Sequence, residues 1–311
     1  MVKTFCQHFM KIKLVVRHVT LIDHGLAVKL RFAMLILAFF AESPAFSETI
    51  FTHLSPATKD DTRQGYHIEL LSLALEKTVD KYGPYRLVPA PVMNAARSMS
   101  SVRDNLYPNF FVNEQVTAKR LEELGYVPFP IHMGIIGYRV FFVSPKAKQK
   151  INKAISLEQL KKFSIGQGLG WGDIEILKSN EFTVIVANNY EGLFEMVASN
   201  RIDLLARGVN EVMGEFDTFK RQIDLQLDES VAIYYPLPRY FFTHPSNETA
   251  IQRVTEGLFA AYEDGSLLRL WEKYYLDSVS RVNLSERVIF KLDNPFIEGI
   301  DKSYEKYLYK P

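Results

Sequence analysis

The sequence predicts an α/β protein of two lobes, on three observations. Short apolar runs alternate with amphipathic stretches from Glu48 onward, and this βα series restarts near Phe163. The composition, 47% hydrophobic and 23% charged with 16 Gly and 14 Pro in 311 residues, suits a chain that buries one large core or two medium ones. It excludes a disordered, collagen-like or coiled-coil chain.

The first series opens with a strand at Thr49–Leu54 and a polar loop from Ser55 to Gly65. Ile68, Leu70, Leu71, Leu73, Ala74 and Leu75 recur at helical spacing and predict a helix over 66–79. A strand at 85–89, a helix from Asn94 to Val102, a strand at 109–112, a short helix at 117–124 and a long apolar strand at 134–143 follow. Ser156, with Gln159 three residues on, has the spacing of a capping box and opens a helix through Lys162. The second series runs strand 163–166, helix 173–179, strand 183–186, helix 190–199, strand 202–206, helix 211–218 and strand 230–235. After Pro236 and Pro238 come a strand at 240–243, a helix at 247–262 ended by Asp264-Gly265, and a helix at 267–274. The expected division is lobe 1 at 48–143 plus 239–276, lobe 2 at 144–238, with hinge crossings at 142–145 and 236–239. Residues 277–311 read as a polar C-terminal tail with scattered aromatics.

Residues 1–47 read as a signal region. Lys29 and Arg31 precede a nine-residue apolar run, Phe32–Phe40, and Pro44, Ala45 and Ser47 follow, which predicts cleavage between Ser47 and Glu48. Nine residues span about 14 Å as a helix, against roughly 30 Å of bilayer hydrocarbon. The signal proper fits 28–47, and translation is expected to begin near Val28. The segment carries +4 of charge and leaves a body of −3, so the formal net of +1 does not describe the mature chain. An acidic body gives no reason to expect nucleic-acid binding. The single cysteine, Cys6, lies in the signal region, so the body has no disulfide, thiol nucleophile or cysteine metal site.

The run Gly166-Gln-Gly-Leu-Gly-Trp-Gly-Asp173 follows a strand and opens a helix. Free backbone N–H groups at Gly168 and Gly170 and the positive helix end would face an anion or carbonyl oxygen. Trp171 would stack on a ligand or pack between lobes, and Asp173 would cap the helix. The glycine spacing does not fit a dinucleotide fingerprint, so no cofactor is expected. None of the four body histidines has metal-pair spacing. Hydrolase, zinc-protease and phosphate-loop motifs are also missing.

Several segments, in order over 48–276, resemble the amino-acid-binding type of periplasmic solute-binding protein, family 3. They are Gly65-Tyr-His-Ile-Glu-Leu-Leu, Val116-Thr-Ala-Lys-Arg120, Asn200-Arg-Ile-Asp203 and Asp264-Gly-Ser-Leu-Leu-Arg-Leu-Trp-Glu-Lys-Tyr274. A narrower, uncharacterised subgroup is similar at Gly166–Asp173, Asn189–Phe194, Arg207–Glu211 and Tyr234–Pro238. The resemblance implies a type II periplasmic binding protein fold: two lobes, each a mixed sheet flanked by helices, with the ligand cleft between them.

It also implies that Arg120 holds a ligand carboxylate, a task suited to the planar guanidinium fork. Where amino-acid binders usually carry an Asp for the ligand's ammonium, this chain has Gly208, with Arg207 beside it. A carboxylate-bearing ligand without an obligatory amine is therefore expected, with Asn210 and Glu211 available to restore polarity. Arg97 on the Asn94 helix and Tyr66 are further ligand candidates, while His132 is weaker. The function implied is capture of a small polar solute in the periplasm by a monomer that serves an ABC-type permease or a sensor's outer domain. Two alternatives stay open: a dehydratase-like enzyme using Glu211 or His132 as acid or base, and a ligand-free interaction module.

Overall fold

The structure is a computed structural model, and it describes residues 47–56 and 64–310. Residues 1–46 of the predicted signal region, 1–47, lie outside the described residues. Ser47 and Glu48, the expected cleavage pair, are exposed at the start of the described chain. No helix among the described residues is long and apolar enough to cross a membrane.

In chain order the elements are β1 (Thr49–His53), α1 (Gly65–Glu76), α2 (Val79–Tyr82), β2 (Tyr85–Pro89), α3 (Ala95–Arg103), β3 (Phe110–Gln115), α4 (Ala118–Glu123), β4 (Gly125–Val127) and β5 (Tyr138–Val143). There follow α5 (Pro145–Lys148), α6 (Leu157–Leu160), β6 (Ser164–Gly168), α7 (Asp173–Ser179), β7 (Thr183–Ala187), α8 (Tyr190–Ala198), β8 (Leu204–Gly208), α9 (Val212–Phe219) and β9 (Gln226–Leu227). The chain ends with β10 (Val231–Tyr234), β11 (Arg239–Thr243), α10 (Glu248–Glu263), α11 (Ser266–Val282) and β12 (Val288–Lys291).

The strands form two sheets. The first runs β2-β1-β3-β11-β4, with β1 parallel to both neighbours and β11 antiparallel to β3 and β4. The second runs β12-β10-β5-β8-β6-β7, with β9 added against β5. Local signals set several boundaries. Asn94 accepts the N–H of Arg97, Thr117 that of Arg120 and Asn189 that of Gly192, so α3, α4 and α8 start on side-chain caps. The Ser156–Gln159 capping box is present in full.

Several expectations need correction. The apolar run 134–143 is not one strand. Met133 (φ +50°) and Gly134 (φ +74°) turn the chain left-handed, residues 135–137 form a 3₁₀ turn, and the strand begins at Tyr138. β5 pairs with β8 and β10, so it belongs to the second sheet and the first crossing precedes it, at 128–137 instead of 142–145. An apolar run reveals a strand but not its partners. Asp173 is not a helix cap: Gly172 holds that position and makes no side-chain cap bond. The expected polar tail, 277–311, is structured over its described residues, since α11 continues to Val282 and β12 extends the second sheet by pairing with β10.

The second crossing falls at 235–238. Gly137 lies against the Tyr235 carbonyl, where a β-carbon would collide, so the two crossings run side by side. On the first lobe, α1, α10 and α11 pack together, and α11 also touches α9 of the second.

Candidate functional site

Polar side chains gather where β3, β6 and β8 end and their antiparallel neighbours β11 and β5 begin. This is the edge at which open α/β sheets place ligands. The wall on the second lobe is built around two buried arginines on adjacent strands. Arg207 of β8 donates to Glu215 of α9 through Nε at 2.8 and 3.0 Å and through Nη2 at 2.5 Å. Its Nη2 is also 3.0 Å from Glu211. Trp171 covers the guanidinium at 4.5 Å, and the Tyr190 hydroxyl donates to Glu215 at 2.6 Å. Arg139 of β5 donates to Asp173 at 2.9 Å and to the Tyr235 hydroxyl at 3.0 Å, with Glu211 3.9 Å from its Nη1.

Burial works against the charge of both arginines, yet their carboxylate partners outweigh it and both guanidiniums hold their protons more tightly than usual. Glu215 is pushed upward, first by burial and further by Glu211, against the pull of Arg207. Three carboxylates thus answer two arginines, a formal excess of one negative charge in the cluster. Its most exposed member is Glu211, with 38% of its side chain accessible.

Gly208 is the floor of this wall. A β-carbon there would meet Asn210 Oδ1 at 2.5 Å, Arg139 Nη1 at 2.7 Å and Glu211 Oε1 at 3.2 Å, so three polar groups converge where only glycine leaves room. Among the described residues, Asn210 Oδ1 is buried with no hydrogen-bond partner, and so are both amide atoms of Gln167, a fully buried residue of β6.

On the first lobe, Asn113 of β3 accepts from Arg239 Nη1 at 3.2 Å and donates to Gln64 at 3.3 Å. Arg239 makes no ion pair with any described carboxylate. His132 is buried. Desolvation, then the nearby His67 and Arg239, hold its imidazole well below the usual histidine range, in the neutral form. Its Nε2 lies 3.0 Å from that of His67.

The walls meet where Gln115 of β3 packs against Gly172, leaving no space for a side chain there, and Gln115 Nε2 is buried and unpaired. Tyr275 of α11 lies within the fields of both Arg239 and Glu211.

Of the residues expected from sequence, Arg207, Gly168, Trp171, Asn210 and Glu211 come together. Gly168 serves Trp171, whose ring occupies the space a side chain would need. Gly170 is left-handed at φ +82° with open space around it. Arg120 holds its own turn: Nη1 donates to the Gln115 carbonyl at 2.7 Å, and Nη2 is 3.4 Å from Glu114. Tyr66 is buried in the lobe and donates to the Ile131 carbonyl at 2.5 Å. Arg97 is exposed on α3, and its only described bond there is a backbone one to Asn94.

Sequence reasoning missed Arg139, Asp173 as its partner, Glu215 and Arg239. A signal existed for Arg139, because a lone charge inside an apolar strand must find a counter-ion.

The sequence matches no family model and no curated protein. Solved structures do match. A probable amino-acid ABC transporter extracellular-binding protein from Bacillus subtilis aligns at TM-score 0.54 and 13% identity, over 73% of this chain and 98% of its own. An arginine-specific periplasmic binding protein from Salmonella typhimurium aligns at 0.53 and 14%, over 74% and 100%. An ancestral arginine-binding protein, solved with arginine, aligns at 0.51 and 14%, over 74% and 99%. With two sheets joined by paired crossings and polar side chains gathered between them, the chain has the two-lobed type II periplasmic binding protein fold.

Proposed function

We propose that this chain is an exported solute-binding protein that captures a small polar molecule between its lobes for an ABC-type permease or a sensor. The ligand carries a carboxylate, received by Arg239 on the first lobe, and a hydrogen-bond donor or cationic group, received by Glu211 and Asn210 on the second. The carrying observation is the contrast among the arginines. Arg139 and Arg207 are neutralised within their own wall, while Arg239 has only the Asn113 amide and a described surrounding without a carboxylate partner. An anion gains most from the guanidinium that is not already paired. The excess negative charge of the opposite wall favours a ligand whose second end is not anionic. This moves from the expectation of a carboxylate ligand with no obligatory amine towards one that carries a donor or cationic group as well, because Glu211 supplies the carboxylate that Gly208 lacks.

Closure would follow the usual two-state logic: contacts made only when both walls engage the ligand shift the open–closed equilibrium. The test is native mass spectrometry of protein purified from the periplasm. Wild type should carry a bound small molecule that is lost in Arg239→Met and weakened in Glu211→Gln. Retention of the same species by both variants would overturn the assignment. The absence of bound species, together with no thermal shift across amino acids and organic acids, would refute solute binding itself.

A further inference from the structure

We propose that α11 and residues 283–310 together form a splint that crosses the hinge twice more and restrains lobe opening. α11 starts on the first lobe, but its C-terminal end is already bonded to the second: Ser278 donates to the Val209 carbonyl at 2.5 Å, and Arg281 pairs with Asp217 of α9 at 2.6 Å. The chain then enters the second sheet as β12, pairing Val288–Lys291 in parallel with Val231–Tyr234. It then returns. Asn180 and Asp293 exchange hydrogen bonds at the end of α7, at 2.8 and 3.1 Å. Next, Asn294 Nδ2 donates to the Pro236 carbonyl at 2.8 Å, in the second crossing. The segment ends on the first lobe. Tyr304 is buried in the cluster with Tyr240 and Phe242. Tyr307 packs on Phe129 at 5.1 Å and Tyr262 at 5.0 Å, and Tyr309 stacks on Trp271 at 4.7 Å.

The last contacts fall on the first crossing. The Tyr309 N–H donates to the Met133 carbonyl at 2.8 Å, and Leu308 fills the space above Gly134. Met133 and Gly134 are the two left-handed residues of that crossing, and hinges open by changing φ and ψ at a few such positions. Both crossings are therefore held by one segment anchored to both lobes. Opening must rotate β12 away from the Tyr304–Tyr309 dock or strip that dock from its aromatic partners.

The test is pulsed electron resonance between spin labels at Lys119→Cys on the first lobe and Lys178→Cys on the second, in a Cys6→Ser background. Without added ligand, the full chain should show a single narrow distance distribution. Inserting six Gly/Ser residues after Gly299, which has no neighbour within 4 Å of a would-be β-carbon, leaves every docked residue present but uncouples them. The insertion variant should gain a second, longer-distance population, as should Leu308→Ala/Tyr309→Ala. A distribution unchanged in both variants would overturn the splint. So would a full chain that is already broadly distributed. If the double substitution impairs folding, judged by circular dichroism, the insertion variant alone decides.

Discussion

Arg207 shows how a residue's type can be legible while its role is not. A strand-end arginine beside a missing aspartate reads as an anion clamp, but its guanidinium is bound by Glu215, eight residues on, and by Glu211. Removing one partner of such a buried pair strands the other charge, at a cost of about 3–5 kcal/mol. Arg207→Met should therefore lower the urea-unfolding free energy by about that amount. Arg207→Met/Glu215→Leu should recover most of it, because two apolar groups replace both charges. Equal losses in the single and double variants would show that the pair is not the source. Gly168 belongs to the same lesson: its backbone reading pointed to an anion loop, whereas its actual demand is steric room for the Trp171 ring.

At the scale of elements, caps and periodicity were readable because they are local. Ser156 with Gln159 and Asn94 with Arg97 act over three residues, and both starts were placed correctly. Strand pairing is not local, which is why β5 was assigned to the wrong sheet and β4, β9 and β12 went unseen. Helix packing is equally hidden in the sequence. Gly257 of α10 sits against the Ala74 carbonyl of α1, so close that a β-carbon would overlap it. Overpacking of this kind typically costs about 1–3 kcal/mol and exceeds that where backbone must move. Gly257→Ala is expected to destabilise by about 3 kcal/mol in denaturant titration, although alanine is the better helix former. A neutral or stabilising effect would mean that the two helices separate easily.

For the whole molecule, the joint between the first lobe and α11 carries a pH dependence. His132 is packed among Tyr66, Tyr275 and His67, and its carbonyl accepts the Trp271 indole N–H at 3.1 Å. Its folded pKa is depressed, while the unfolded chain protonates it near 6.5. The unfolded state therefore binds more protons as pH falls below about 6.5, and stability is lost in that direction, at up to about 1.4 kcal/mol per pH unit. Unfolding titrations at pH 7.5 and 5.5 should show this fall, and His132→Gln should flatten it. The same slope in the variant would place the effect elsewhere.

The sequence by itself determined the α/β class, the order of most helices and strands, and the existence of two βα series. Periodicity, capping and turn chemistry operate within a few residues, so they survive without the fold. Only the tertiary structure decided which cleft arginine has no carboxylate partner among the described residues, where the first crossing lies, and that residues 283–310 bind both crossings. Those outcomes depend on partners such as Arg139 and Tyr235, 96 residues apart, whose meeting is fixed by sheet pairing and core packing rather than by any local pattern.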